Sequence, residues 1–315
     1  MLNFTVRNLT PDDIPHVMEL QYEYQKVYSS ASIIPGEVYL SSGFDDVKNI
    51  FCAFDGKGCL KGYAPLFPNM TENPQIPHTV WGEVKVNPEL ASPQGIKDLL
   101  FERVVGRTRE ITSVLSNRPT RLTFQYHPSE TTSIEFVTSK GCAHTESVFR
   151  MIRDLSQELP AIHQPEGIEV RAWHMDDESE QIAYVQARNK AFPDSPIALA
   201  DWQYFLSSPA WREGTSITAF DGDRIAGSVI VYWDEAISRQ TGRKAGFTEN
   251  IFVGAEWRKR GIAPFLIRQG LIYLKEHGRE AAFLEVKASN QNALDLYTRL
   301  GYQLIDETRL YVLEL

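Results

Sequence analysis

The chain repeats itself once. TVRNLTPDD at 5–13 matches EVRAWHMDD at 169–177, with Val-Arg and Asp-Asp in register. FCAFDGKGCLKG at 51–62 matches ITAFDGDRIAG at 217–227 through Ala-Phe-Asp-Gly. VKVNPE at 84–89 answers IFVGAE at 251–256, Gly95 answers Gly261, and the offset stays between 164 and 167 throughout. A period this long means two copies of a domain, not a solenoid. The expected domains are 1–157 and 168–315, joined through the polar, two-proline stretch SQELPAIHQPEG at 156–167.

Each copy reads as mixed α/β. In the second, GIEVRAW is a strand and 176–192 a helix; TSITAFDG and RIAGSVIVYW are strands joined by Asp221-Gly222, a strong hairpin signal. GFTENIFV is a fourth strand, 261–277 a helix stopped by Gly278, AAFLEVKAS a fifth strand, 292–300 a helix and RLYVLEL a last strand. The expected fold is two tandem α/β domains, each a mixed, mostly antiparallel sheet flanked by helices.

A formal net charge of −9, with no block of like charge, argues against nucleic acid as a partner. Cys52, Cys59 and Cys142 are too scattered for a disulfide framework or a zinc site. The amino terminus MLNFTVRN lacks a signal-peptide layout, and no apolar run approaches the ~20 residues that span a bilayer. The expectation is a cytoplasmic protein, monomer or homodimer, with no metal, no membrane and no nucleic acid.

WRKRGIAPFLI at 257–267 sets Arg258, Lys259 and Arg260 before Gly261, Ala263, Pro264 and an apolar helix. The helix dipole already makes that end positive, so cations there call for an anion. The segment resembles the coenzyme A loop of the GNAT acyltransferases: Arg or Gln, two residues, Gly, one residue, Gly or Ala. Arg258, Gly261 and Ala263 fill those positions. NQNALDLYTRLGY is similar to the family's second signature through Asn290, Tyr297, Gly301 and Tyr302. The tandem layout, with the better motif in the second half, resembles mycothiol-synthase-like proteins.

The resemblance implies acetyl-CoA as co-substrate and an amine, on a small molecule or peptide, as acceptor. Arg258, Lys259, Arg260, Gly261, Ile262 and Ala263 would hold the pyrophosphate. The backbones of Ile251, Phe252 and Val253, on a strand that splays from its neighbour, would hold pantetheine and polarise the thioester. Tyr297 would protonate the departing thiolate, and Asn290 would contact pantetheine or position a neighbour. Glu249 is the candidate base; strand alternation places it on a face with Ile251 and Val253. Some relatives carry their glutamate two residues earlier, where this chain has Phe247. Asp194 and Asp201 are the other candidate bases. The aromatic segment 192–211 reads either as a lid over the acceptor, with Asp201, Trp202 and Tyr204 as acceptor-binding residues, or as packing between the halves.

The first half departs from the pattern. Ser92 stands at the arginine position and Lys97 at the small residue, Pro93 removes a loop N–H, and Glu130 and Val137 replace Asn290 and Tyr297. Val137 cannot donate a proton, although a lysine at 97 leaves phosphate binding open. The alternatives are a non-catalytic acyl-CoA-binding or regulatory module and, among enzymes, an aminoacyl-tRNA-dependent amide-forming transferase. The acidic composition opposes the last.

Overall fold

The computed structural model describes residues 4–70, 76–113, 118–193, 195–235, 238–239 and 242–315. The chain forms two compact units, Met1–Ser147 with Glu307–Leu315, and Val148–Asp306.

Unit 1 contains β1 (Thr5–Asn8), α1 (Ile14–Val27), β2 (Ile50–Phe54), β3 (Leu60–Asn69), β4 (His78–Gly82), β5 (Lys85–Val86), α2 (Gln94–Ser113), β6 (Thr120–Tyr126), α3 (Thr131–Ser139) and the start of β7 (Ala143–Asp154). Strands β1 to β4 are antiparallel in turn, and β4 runs parallel to β6 from His78↔Thr120 to Gly82↔Phe124.

Unit 2 takes the end of β7 and continues with β8 (Glu169–Trp173), α4 (Glu178–Ala191), α5 (Leu199–Leu206), β9 (Thr215–Asp221), β10 (Arg224–Tyr232), β11 (Ala245–Val253), α6 (Ile262–Glu276), β12 (Ala281–Lys287), α7 (Gln291–Arg299) and the start of β13 (Gln303–Glu314). Strands β8 to β11 are antiparallel; β11 then runs parallel to β12.

The last strand of each unit comes from an unexpected part of the chain. RLYVLEL, expected to finish the second copy, pairs with β6 in unit 1 as Arg309–Glu314. Val148–Asp154 of β7 takes the corresponding edge of β12 in unit 2. The stretch 156–167, expected as the join, belongs to unit 2. Arg153 holds it through Gln157 Oε1 at 3.0 Å and the Glu158 carbonyl at 2.7 Å, and Arg268 donates to the Pro160 carbonyl at 2.8 Å. Side chains absorb its carbonyls, so two prolines do not make it a free linker.

Local chemistry fixes the elements around the site. Asp177 caps α4 by accepting from the Glu180 N–H at 2.9 Å, and Glu180 in turn accepts from the Trp173 indole at 2.8 Å. Gly222, at φ +61°, makes the turn between β9 and β10. Helix α6 buries Ile262, Phe265, Leu266, Gly270, Leu271 and Leu274, one face at helical spacing. At Gly270 an added Cβ would come within 2.9 Å of Val231, so α6 lies close on the sheet. The two faces of this sheet carry separate cores. One, with α6 and α7, holds Val229, Val231, Leu266, Leu271, Leu284 and Tyr302; the other, with α4 and α5, holds Tyr184, Trp202, Trp211, Ile230 and Phe252.

Candidate active site

Strands β11 and β12 pair only at Ala245↔Ala281, Gly246↔Ala282 and Phe247↔Phe283. Beyond Phe247 they part, and a cleft of about 390 Å³ opens between them, lined by Arg188, Glu249, Ile251, Lys287, Asn290 and Tyr297 among others. The divergence coincides with a bulge. Ser228 faces Phe252 and Ile230 faces Glu249, so Asn250 and Ile251 together oppose Val229. Asn250 takes φ +47°, a conformation that asparagine tolerates better than other non-glycine residues, and Arg188 Nε donates to its Oδ1 at 3.1 Å.

The bulge reverses the phase of the strand. Thr248, bonded to the Tyr302 hydroxyl at 2.7 Å, lies on the α6–α7 face, and Ile251 and Val253 pack there too. Phe252 lies on the α4 face, and so does Glu249, which lines a pocket with Trp202 and Phe205. Strict alternation, which grouped Glu249 with Ile251 and Val253, therefore fails at Asn250. The bulge also settles which backbone groups are available. The Gly254 N–H donates to the Ala226 carbonyl at 2.9 Å, so Phe252, two residues back, also spends its backbone bonds on β10. Ile251 lines the cleft. Of the three expected backbone donors, Phe252 is corrected to a ladder residue whose ring packs 5.9 Å from Tyr184.

The loop before α6 is braced from the hairpin tip. Trp257, buried, donates its indole N–H to Asp221 at 2.8 Å, while Arg224 lies 4.6 Å over the Trp257 ring and pairs with Glu256 at 2.8 Å. Beyond this anchor, Lys259 takes φ +63° and Gly261 φ +78°, and Gly261, the N-cap of α6, has no side chain to cap the helix. Left-handed turns of this kind direct successive N–H groups into a concavity suited to an anion. Arg258, Lys259 and Arg260 are exposed around it, with Arg258 tethered to the Val253 carbonyl at 3.2 Å. Ile262 is buried beneath the loop, and Ala263 adds little bulk.

Tyr297, mostly buried on α7, lines the cleft, and burial pushes its phenol up to about 12. Asn290 caps α7, accepting from the Ala293 N–H at 3.3 Å. Burial raises the Glu249 carboxyl above its ordinary value, while a hydrogen bond from the Tyr232 hydroxyl favours its ionised form. Tyr232 stacks on Phe247 at 5.1 Å, so Phe247 is part of an aromatic wall beside Glu249.

Among the expected acceptor residues, Asp201 and Trp202 line the pocket beside Glu249. Trp202 is buried, stacked on Tyr184 at 4.5 Å and Phe205 at 5.2 Å, so it is a wall rather than a movable cover. Tyr204 is 70% exposed and does not line that pocket. Asp194 lies outside the described residues. Sequence reasoning missed Arg188, Tyr232 and Asn250. Their positions follow from the bulge and from the pairing of β10 with β11, which residue spacing does not reveal.

Unit 1 shows what the other copy has lost. The pairs Phe67↔Trp81 and Leu66↔Gly82 correspond to Tyr232↔Phe247 and Val231↔Thr248, and this register places Glu83 at the Glu249 position. Lys85 stands where unit 2 has Phe252; it is 2% exposed, bonded to the Ser32 carbonyl at 2.7 Å and paired with Glu83 at 3.1 Å. Glu130 is buried and accepts from Tyr24 at 2.8 Å, and Val137 is fully buried in the core. Gly95 lies inside α2 rather than at a left-handed cap. Lys97, left open above as a phosphate ligand, is turned inward: its ammonium donates to the Thr132 carbonyl at 3.1 Å, and burial lowers its pKa.

Residues 166–302, which hold the loop, the splayed strands and the Asn290–Tyr297 helix, match the acetyltransferase (GNAT) family model, and the chain belongs to that family. It is similar to the N-alpha-acetyltransferase 30 of Schizosaccharomyces pombe, 33% identical over 34% of this chain and 67% of that protein. It is also similar to the mycothiol acetyltransferase of Thermobispora bispora, 27% identical over 51% of this chain and 55% of that one, so the match spans about half that relative's length. The fold is shared along the chain with a solved tandem GNAT protein from the clavulanic acid biosynthesis pathway: TM-score 0.69, 14% identity, 99% of this chain and 98% of that one. Among the described residues, no helix is long and apolar enough to cross a membrane, and no group of three or more His, Cys, Asp or Glu is placed to hold a metal ion.

Proposed function

We propose that unit 2 transfers an acetyl group from acetyl-CoA to the amine of a small-molecule or peptide acceptor, by direct attack of the amine on the thioester. The observation that carries the reading is the cleft between β11 and β12, which brings Glu249 and Tyr297 to one opening. Arg258, Lys259, Arg260 and the N–H groups following Gly261 hold the pyrophosphate. Val253 and Ile251 offer backbone donors to pantetheine and to the carbonyl oxygen as it gains charge. Asn290 fixes the start of the helix that carries Tyr297.

Glu249, directly or through water, takes a proton from the acceptor ammonium, and the free amine nitrogen forms the new bond to carbon. As the carbon–sulfur bond breaks, the Tyr297 hydroxyl gives its proton to the sulfur. Proton exchange with solvent restores the phenol and the carboxylate. The acceptor amine enters on the Glu249 side, where Trp202, Phe205 and Tyr232 form apolar walls. Unit 1 performs no transfer in this reading, because Lys85 and Val137 occupy its key positions. Three unpaired cysteines, Cys59 exposed among them, fit a reducing cytoplasm.

The test is thiol release from acetyl-CoA with a panel of primary amines. The reading expects release that depends on the amine and saturates with it. Binding of acetyl-CoA with no amine-dependent release across the panel would favour a non-catalytic acyl-CoA-binding module instead.

A further inference from the structure

We infer that the acceptor carries a carboxylate close to its amine, as a free amino acid does, and that Arg188 binds this carboxylate. The inference rests on the acetyl-transfer reading above and names its substrate class.

Arg188, in the last turn of α4, is 8% exposed and lines both the main cleft and an adjoining pocket of about 300 Å³. Glu249 and Asn250 line both as well, so a guanidinium and a carboxylate face the same junction. Among the described residues, no acid pairs with Arg188. Its acceptors are Asn250 Oδ1 at 3.1 Å, Asn189 Oδ1 at 3.2 Å and the Ser195 carbonyl, all neutral. These bonds use Nε and Nη1, which fixes the plane of the group, and among the described residues none uses Nη2. A guanidinium does not shed its charge on burial, and the helix C-terminus offsets only part of it. A buried charge of this kind is unfavourable until an anion meets it.

Two neighbouring donors are also unsatisfied: among the described residues, the Tyr184 hydroxyl and the Trp202 indole N–H are buried without a hydrogen-bond partner. Tyr184 lies one helical turn before Arg188 on α4 and stacks on Trp202 at 4.5 Å. The remaining walls, Ile197, Trp202, Phe205 and Tyr232, are apolar or aromatic. An amino acid meets all three features: its ammonium at Glu249, its carboxylate at Arg188 and an apolar side chain against the aromatics. Asp201, exposed on the same pocket, disfavours a second carboxylate on that side chain.

The experiment compares L-phenylalanine, L-phenylalaninamide and 2-phenylethylamine as acceptors for wild type, Arg188→Gln and Arg188→Lys. In wild type, kcat/KM for L-phenylalanine should exceed that for the other two at least tenfold. Arg188→Gln should erase the preference by raising KM for the acid at least tenfold more than it raises KM for the amide. Arg188→Lys, which keeps a charge, should retain part of it and covers the case in which the glutamine variant does not fold. Equal or better use of the amide by wild type overturns the inference while leaving acetyl transfer intact, as does an equal loss for all three acceptors in the variants. If no amine is acetylated, the transfer reading itself falls. Calorimetric titration then judges the carboxylate site alone: binding of L-phenylalanine but not its amide, weakened by Arg188→Gln, upholds it, and any other pattern overturns it.

Discussion

The backbone N–H of Val84 donates to the Tyr126 hydroxyl at 3.3 Å. Val84 is the repeat partner of Ile251, so in unit 1 a side chain closes the edge that unit 2 leaves to its cleft. Tyr126→Phe removes the acceptor and leaves a buried N–H unsatisfied, at a cost of about 1–3 kcal/mol. Thermal unfolding should show a clear drop in Tm, and the variant should gain no coenzyme A site, because Lys85 and Val137 remain. An unchanged Tm would show that this bond does not hold the edge shut.

Tyr297→Phe should lower kcat by ~10²–10⁴-fold while leaving acetyl-CoA affinity nearly unchanged, since the proton is needed only as the thiolate forms. With the phenol near 12, the wild-type profile should show no alkaline fall from this group below about pH 10. Turnover in the phenylalanine variant equal to wild type would assign Tyr297 to the core alone.

Glu249→Gln should make the protein slower and more stable. Burial raises the folded pKa of Glu249 above its unfolded value, so the folded state holds a proton that the unfolded state has released. Stability from this group is therefore highest below the unfolded pKa, roughly 4.3, and falls as pH rises through the folded value. At neutral pH the amide avoids that cost and still accepts from Tyr232, so Tm should rise; below about pH 4 the two proteins should converge. The variant's kcat/KM should fall most on the acidic side and recover in part as the amine arrives neutral. A Tm equal to wild type at pH 7, with an overlaid rate profile, would move the base elsewhere.

Gly261→Val should weaken acetyl-CoA binding and cost roughly 1–3 kcal/mol of stability. The cause is conformation, not crowding: the residue sits at φ +78°, yet an added Cβ would meet nothing within 4 Å. Gly261→Asn, which tolerates that region, should be the milder change in both measurements. Equal effects from the two substitutions would point to bulk rather than backbone conformation.

Legibility in the sequence followed the range of each interaction. Gly261 and the Asp221-Gly222 turn were readable because glycine at a helix start or hairpin reports a local backbone need. Most of the strands were readable from their apolar patterning. Which strand pairs with which was not: RLYVLEL carries no mark that sends it to β6. The bulge at Asn250 was equally silent, since one asparagine in a nine-residue strand looks like an ordinary polar position. That single residue decides which face Glu249 occupies and where Arg188 is fixed. Lys85 in unit 1 was hidden for the same reason, because only the fold shows that its charge is turned inward onto Glu83 and Ser32.

The central claim is a division of labour between two copies, one with an open cleft and one filled by its own side chains. Calorimetric titration of the full chain with acetyl-CoA tests it most directly. The account predicts one site per chain, weakened by Gly261→Val and unaffected by Gly95→Val, since Gly95 lies inside α2 with open space around it. Two equivalent sites, or one lost with Gly95→Val and kept with Gly261→Val, would contradict it.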